Sequence, residues 1–199
     1  MRPHEKWEGL GIDLTEFWRR KHAREPWLSN PSYAAIAAAV NGRSMLDVGC
    51  GGGLLIAGLR ALGYTGTYYG IDVTPGAVAA SRALCPDEAF DLGDAAALHL
   101  DADVVVARHV LEHHPPELVG TMIASMVQAA REAVVVCWFV PPGAEFVPGE
   151  DSDGFLEHQH AIDDVELALE AAGATGWAVE RLPKTGTAQT EQELWTVSV

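Results

Sequence analysis

The sequence predicts an α/β domain: a doubly wound, mostly parallel seven-stranded sheet with an antiparallel C-terminal edge strand and helices on both faces. Three observations lead there. Short β-branched apolar runs alternate with helix-like stretches from residue 44 to about residue 172. A glycine run at 51–53 joins the first of these runs directly to the first crossover helix. Two further runs close the chain without a helix between them, and such strands pair most simply as an antiparallel edge. With 199 residues the chain has room for one core.

The elements follow in order. Residues 1–30 are polar and carry Trp7, Trp18 and Trp27. Asn30 then reads as an N-cap, Pro31 as a first helical residue and Gly42 as a stop. SMLDVG (44–49) is a buried strand, LLIAGLRAL (54–62) a helix closed by Gly63, and TYYGIDV (67–73) the second strand. Thr74 and Pro75 open a helix over 75–84, which Cys85 and Pro86 close. A weaker strand at 88–92 precedes Gly93 and Asp94, and the β-branched DVVVARH (103–109) is followed by a helix near 117–131.

AVVVCWFV (133–140) is the fifth strand. Segment 141–160, with Pro141, Pro142, Gly143, Pro148 and Gly149, is too long for a plain connection and reads as a lid or substrate loop. Asp163 with Glu166 resembles a capping box opening a helix to about Ala172, stopped by Gly173. GWAVERL (176–182) and ELWTVSV (193–199) are the terminal strands. The organisation expected is a helical cap or lid over 1–43 and the α/β body over 44–199.

Composition bounds the function. Apolar residues at 48 % and charged residues at 21 % suit a globular chain. A net charge of −15 repels phosphate backbones and argues against a nucleic-acid partner. The charge is uneven: residues 1–44 carry seven Lys/Arg against five Asp/Glu, the remainder six against 23. Three dispersed cysteines argue against a disulfide framework or a zinc site. Neither a signal peptide nor an apolar run of membrane-spanning length is present, so no membrane association and a cytoplasmic setting are expected.

Chemistry concentrates after the first strand. In Asp47-Val48-Gly49-Cys50-Gly51-Gly52-Gly53, glycines at 49, 51 and 53 permit a tight turn and close ligand approach at a helix N-terminus. Asp72 lies 23 residues after Gly49 and ends the second strand, where a carboxylate can accept ribose hydroxyls. Two signals thus agree on a nucleoside. A carboxylate at Asp47 disfavours a pyrophosphate and favours an ammonium or sulfonium; a plain turn-capping role for Asp47 stays open.

DVGCGGG (47–53), YGIDVTPGAVAASR (69–82), DLGDAAAL (91–98) and DVVVARHVLEH (103–113) together resemble the successive motifs of class I S-adenosylmethionine-dependent methyltransferases, of the small-molecule type. The resemblance covers about residues 44–140, while 1–43 and 141–160 match nothing specific. It implies S-adenosylmethionine (SAM) as cofactor and S-adenosylhomocysteine (SAH) as product. Asp47, Gly49, Cys50, Gly51 and Gly53 would then shape the methionine pocket, Asp72 bind the ribose and Val73 line the adenine. It further implies that Asp94 accepts from the adenine amino group, that the Ala95 amide donates to the ring, and that Arg108 and His109 border the sulfonium and the acceptor. Asp103 matches a structural position.

Methyl transfer from a sulfonium is an in-line displacement that needs alignment and desolvation more than side-chain chemistry. A hydroxyl or acidic carbon acceptor also needs a base, and His109 and His113 are the candidates. Plain packing or backbone bonding remains an alternative for both. A metal held by His158 and His160 is disfavoured, because residues two apart share a face only on a strand. Trp7, Phe17, Trp18 and Trp27 with Arg19, Arg20, Lys21 and Arg24 could form an aromatic cap with a cationic edge.

The expected activity is methyl transfer to an O, N or C nucleophile of a small metabolite, by a monomer or homodimer. Alternatives are a protein or RNA methyltransferase and a non-catalytic nucleoside-binding protein of the same fold. Pro141-Pro142 follow the fifth strand, so the Asn/Asp-Pro-Pro-aromatic element of amino-methylating nucleic-acid enzymes is missing after the fourth.

Overall fold

Asn30 opens the ordered body of the fold. In the computed structural model, which describes residues 16–18, 20, 30–150, 156–183 and 191–199, its side chain accepts from the Ser32 amide at 3.0 Å. It thereby caps helix α1 (Pro31–Val40), with Pro31 at the first position. The helix ends on Asn41 in the left-handed region, one residue before the expected glycine stop. Tyr33, Ile36 and Val40 on its inner face are fully buried, so α1 belongs to the core.

The remaining elements fall where the sequence places them. They are β1 (Met45–Val48), α2 (Leu54–Ala61), β2 (Tyr68–Asp72), α3 (Pro75–Leu84), β3 (Ala89–Leu92), β4 (Ala102–Arg108), α4 (Pro116–Ala129), β5 (Ala130–Trp138), α5 (Ile162–Ala172), β6 (Gly176–Leu182) and β7 (Gln192–Ser198). The sheet order is β3-β2-β1-β4-β5-β7-β6. Strands β1 to β5 pair in parallel, and β7 runs antiparallel to both β5 and β6. The antiparallel edge is therefore the β6–β7 pair, with the C-terminal strand one place inside it. Strand order reverses between β1 and β4, the position where open α/β sheets bind ligands beyond their strand ends.

One apolar cluster lies on each face of the sheet. Val48, Val105, Met126 and Trp195 belong to the cluster under α4 and α5, and Tyr33, Ile56, Val104 and Val135 to the cluster under α1 and α2. Between β3 and β4 the chain forms a turn segment, not a helix. A cleft of about 380 Å³ remains there against Tyr69 and Ile71, with Asp94 and Leu98 in its lining.

Two cap expectations are corrected. Helix α5 is capped at Ala161 without a side-chain bond, so Asp163 is not an N-cap; Asp163 and Asp164 lie in its first turn, where the helix dipole favours acids. Glu166 accepts instead from the Trp177 indole at 3.3 Å. Thr74 holds the cap position of α3, but its hydroxyl turns back to Asp72 at 2.7 Å.

The described residues of segment 141–160, which are 141–150 and 156–160, form a strap. Val147 and Gln159 exchange backbone bonds of 2.8 and 2.9 Å, and further bridges join Gly143 to Ala161 and Glu150 to Leu156.

Candidate functional site

The glycine loop between β1 and α2 carries three left-handed residues, Gly49, Gly51 and Gly53, at φ 68°, 54° and 81°. Each is needed for space as well as for conformation. A β-carbon at Gly49 would stand 2.7 Å from Val110 Cγ2, and one at Gly53 3.1 Å from Ser81 Cβ. At Gly51 it would meet the Trp18 indole at 2.6 and 2.8 Å. Cys50 is buried in the turn, its amide donating to the Ile71 carbonyl at 2.9 Å. Burial pushes its thiol well above the ordinary range.

Two carboxylates flank this loop on one side of the sheet. Register pairs Asp47 with Gly70, so Asp72, two residues further on β2, projects from the same face. Asp72 accepts from the Gly51 amide at 3.0 Å and from the Thr74 amide and hydroxyl at 2.8 and 2.7 Å. Burial raises its pKa, and the bonds from Thr74 and Gly51 oppose the rise. Asp47, 1 % exposed, accepts from the Tyr68 phenol at 2.9 Å. Burial lifts its pKa to about 7, against the opposing effects of that phenol and of Arg108.

Val73, just beyond β2, is a large apolar side chain left exposed. Past β3, Asp94 accepts from the Ala96 amide at 2.9 Å, which fixes the turn containing Ala95.

Arg108 ends β4 with its Nε donating to Ser32 Oγ at 3.1 Å and its guanidinium 4.7 Å from the centre of the Tyr33 ring. His109 adopts φ 56°, an uncommon conformation for a side chain with a β-carbon. Its ring lies 5.4 Å from that of Phe139, and its Nε2 is 3.8 Å from Cys137 Sγ. Burial holds the Cys137 thiol at a pKa of about 12, so it is no nucleophile.

The turn after β4 is clasped by the strap. The His158 amide donates to the Glu112 carbonyl at 2.7 Å, and His160 Nε2 donates to the Leu111 carbonyl at 3.0 Å. His113 Nδ1 bonds the Leu156 carbonyl. A carbonyl only accepts, so Nδ1 carries the proton and the lone pair of the neutral ring is on Nε2. Glu112 is fully buried and accepts from the Phe139 amide at 2.9 Å. Burial raises its pKa.

The structure thus brings Asp47, the glycine loop, Asp72 and Val73 together at the ends of β1 and β2, with Arg108 and His109 beside them on β4. His158 and His160 serve the strap, and among the described residues no group of three or more His, Cys, Asp or Glu converges on one point. Asp103 accepts from the Ser44 amide and hydroxyl, which ties β4 to β1. Tyr68, Ser32, Tyr33 and Glu112 were not legible as site residues, because their partners are set by strand register and long-range packing. Trp7, Arg19, Lys21, Arg24 and Trp27 lie outside the described residues.

A family model described as a methyltransferase domain matches residues 17–135. No curated protein matches the sequence. Among solved structures, the 1,6-didemethyltoxoflavin-N1-methyltransferase of Burkholderia thailandensis, with bound 1,6-didemethyltoxoflavin and S-adenosylhomocysteine, is 18 % identical. It covers 98 % of this chain and 89 % of its own, at a TM-score of 0.72. DesVI of Streptomyces venezuelae is 18 % identical over 94 % and 98 % of the two chains, TM-score 0.67. The magnesium protoporphyrin IX methyltransferase of Synechocystis PCC 6803, with bound SAM, is 20 % identical over 84 % and 78 %, TM-score 0.64. At these identities the likeness shows a shared fold.

Proposed function

The chain belongs to the methyltransferase-domain family, and from that premise we propose that it transfers the methyl group of SAM to an O, N or C nucleophile of a small-molecule acceptor and releases SAH. The observation that carries this reading is the pair Asp47 and Asp72 on either side of a loop of three left-handed glycines. The loop suits a cationic nucleoside: its positive-φ glycines, packed against Val110, Trp18 and Ser81, hold the backbone in a turn that a β-carbon would distort, and carboxylates suit an ammonium and hydroxyls but would repel a pyrophosphate.

When bound, the cofactor supplies a sulfonium methyl open to in-line attack, with a neutral thioether as leaving group. The chain's residues do the holding. Asp47 faces the ammonium, Gly49, Cys50, Gly51 and Gly53 give backbone approach, and Asp72 takes the ribose. Val73, Asp94 and Ala95 receive the adenine. Arg108, anchored by Ser32 and Tyr33, and His109 border the sulfonium and the acceptor.

His109 and His113 are the candidate acceptors of a proton from the nucleophile. We read residues 1–43 as a cap element on the 44–199 body, of which α1 is the part packed into the core. Small-molecule specificity is supported by the strap, which His158 and His160 bond to the turn after β4, and by the acidity of the chain. The neighbour bound to 1,6-didemethyltoxoflavin is an enzyme of this fold with an acceptor of that size. A cytoplasmic monomer or homodimer, without nucleic-acid or membrane partners, fits this reading, and no helix among the described residues is long and apolar enough to cross a membrane.

Incubation with methyl-labelled SAM and a cell extract split by mass tests the reading. Label is expected in the low-mass fraction. Label confined to protein or RNA supports the macromolecular alternative, and no transfer despite SAM binding supports a non-catalytic binder. His109→Ala and His113→Ala, assayed on the labelled product, are expected to lower turnover more than SAM affinity.

A further inference from the structure

The contact between Trp18 and Gly51 is left unused by the proposed mechanism. Trp18 is half-buried and helical, braced edge-on by Phe17 at 5.3 Å between ring centres. An ion pair of 2.7 Å between Glu16 and Arg20 spans the same turn. Its indole comes from a distant part of the chain to lie on the glycine between the two carboxylates, the residue whose amide is bonded to Asp72.

This inference rests on the cofactor reading above. If Asp47 takes the ammonium end and Asp72 the ribose end, covalent connectivity fixes what passes between them, because the sulfur joins the amino-acid chain to the ribose. Gly51, bonded to Asp72 and four residues along the loop from Asp47, is the glycine this passage would run beside, and Trp18 packs on it. We propose that Trp18 is a discriminating residue for cofactor against product: its indole face stabilises the sulfonium cation and has no equivalent attraction for the neutral thioether.

The physical basis is selective. SAM and SAH share the ammonium, carboxylate, ribose and adenine, so every group that binds those parts holds both alike. They differ in one methyl group and one positive charge at sulfur. An indole quadrupole attracts a cation over its face, so its contribution is present before transfer and vanishes once the methyl carbon has left the sulfur. Trp18's own contribution is then lost with the product. An apolar side chain of similar size would cover Gly51 equally well but would not tell the two apart.

Calorimetric titration of the full chain with SAM and, separately, with SAH tests the assignment in the wild type, Trp18→Leu and Trp18→Phe. In Trp18→Leu the Kd for SAM is expected to rise about three- to tenfold, while the Kd for SAH moves less than about twofold. Trp18→Phe, which keeps a π face, is expected to retain most of the preference. Equal losses for both ligands would reduce Trp18 to an apolar wall and overturn the proposal. Tighter binding of both would make it a plug, and no change would remove it from the site; each also overturns the proposal. A wild type that binds neither ligand would overturn the cofactor reading itself, and this one with it.

Discussion

The Tyr68 phenol reaches the Asp47 carboxylate at 2.9 Å by passing across Gly70, where a β-carbon would stand 2.5 Å from the phenol oxygen. Gly70 is thus the space through which β2 supplies a side-chain donor to the acid of its neighbour β1. Tyr68 is itself buried and its ionisation is pushed well above the ordinary range, so it serves as a donor at all working pH values.

A proton prediction follows from Asp47. Its pKa of about 7 lies above the ordinary 3.8, chiefly because of burial. The folded apo protein therefore holds a proton that the unfolded chain has lost between about pH 4 and 7, and Asp47's contribution to stability falls as pH rises through that window. A ligand ammonium reverses the preference. SAH binding at pH 6 is expected to release close to one proton from this site, and at pH 8.5 almost none. Titration in buffers of different ionisation enthalpy reads this directly, and Asp47→Asn should abolish the release.

Asp72 carries two tasks, so its removal should be read in two ways. Three hydrogen bonds pin the Gly51 amide and Thr74 to its carboxylate. Asp72→Ala is expected to cost about 1–3 kcal/mol of stability through the buried donors it orphans, and a similar amount of SAH affinity through the lost ribose contact. Denaturant unfolding and calorimetry measure the two separately. Unchanged affinity with lowered stability would confine Asp72 to holding the loop.

Most of the fold was legible because each crossover is marked by local chemistry. Asn30-Pro31, Gly63, Thr74-Pro75 and Gly173 punctuate helices whose ends depend on their own residues. The exception is instructive: α5 starts at Ala161 because the strap fixes its entry, with the Ile162 amide bonded to the Gly143 carbonyl at 2.7 Å. That contact spans the strap and outweighs a favourable Asp163–Glu166 pattern. The site divides the same way. Asp47 and the glycines declare themselves within seven residues, whereas Tyr68 depends on the β1–β2 register and Trp18 on a contact more than thirty residues away along the chain. Glu112 was hidden for a further reason, since a carboxyl with a buried amide partner from β5's end looks in sequence like any surface acid.

His114 predicts an acid limb in stability. Its pKa is lowered to about 4, first by burial, although its bond to the Val110 carbonyl at 2.9 Å opposes the shift. The imidazole protonates in the unfolded chain near 6.5 but stays neutral in the fold, so the unfolded chain binds more protons between about pH 4 and 6.5. Stability is lost as pH falls through that window. Burial lowers His160 as well, which adds to the same limb. His114→Gln is expected to flatten the decline in melting temperature between pH 6.5 and 4.5, and an unchanged slope would assign the limb elsewhere.

Gly51 and Gly63 separate backbone strain from the Trp18 contact. Both have positive φ, 54° and 90°, so alanine is strained at either. Nothing lies within 4 Å of a β-carbon at Gly63, whereas at Gly51 the indole stands 2.6 Å away. Gly63→Ala should therefore cost about 1 kcal/mol from conformation alone. Gly51→Ala should cost the same strain and in addition push Trp18 off the loop, which predicts a red-shifted tryptophan emission that Gly63→Ala does not show. In a Trp18→Leu background the extra penalty of Gly51→Ala should shrink, because leucine leaves the loop more room than an indole. Additive losses in that double-mutant cycle would mean that the two residues do not touch in solution.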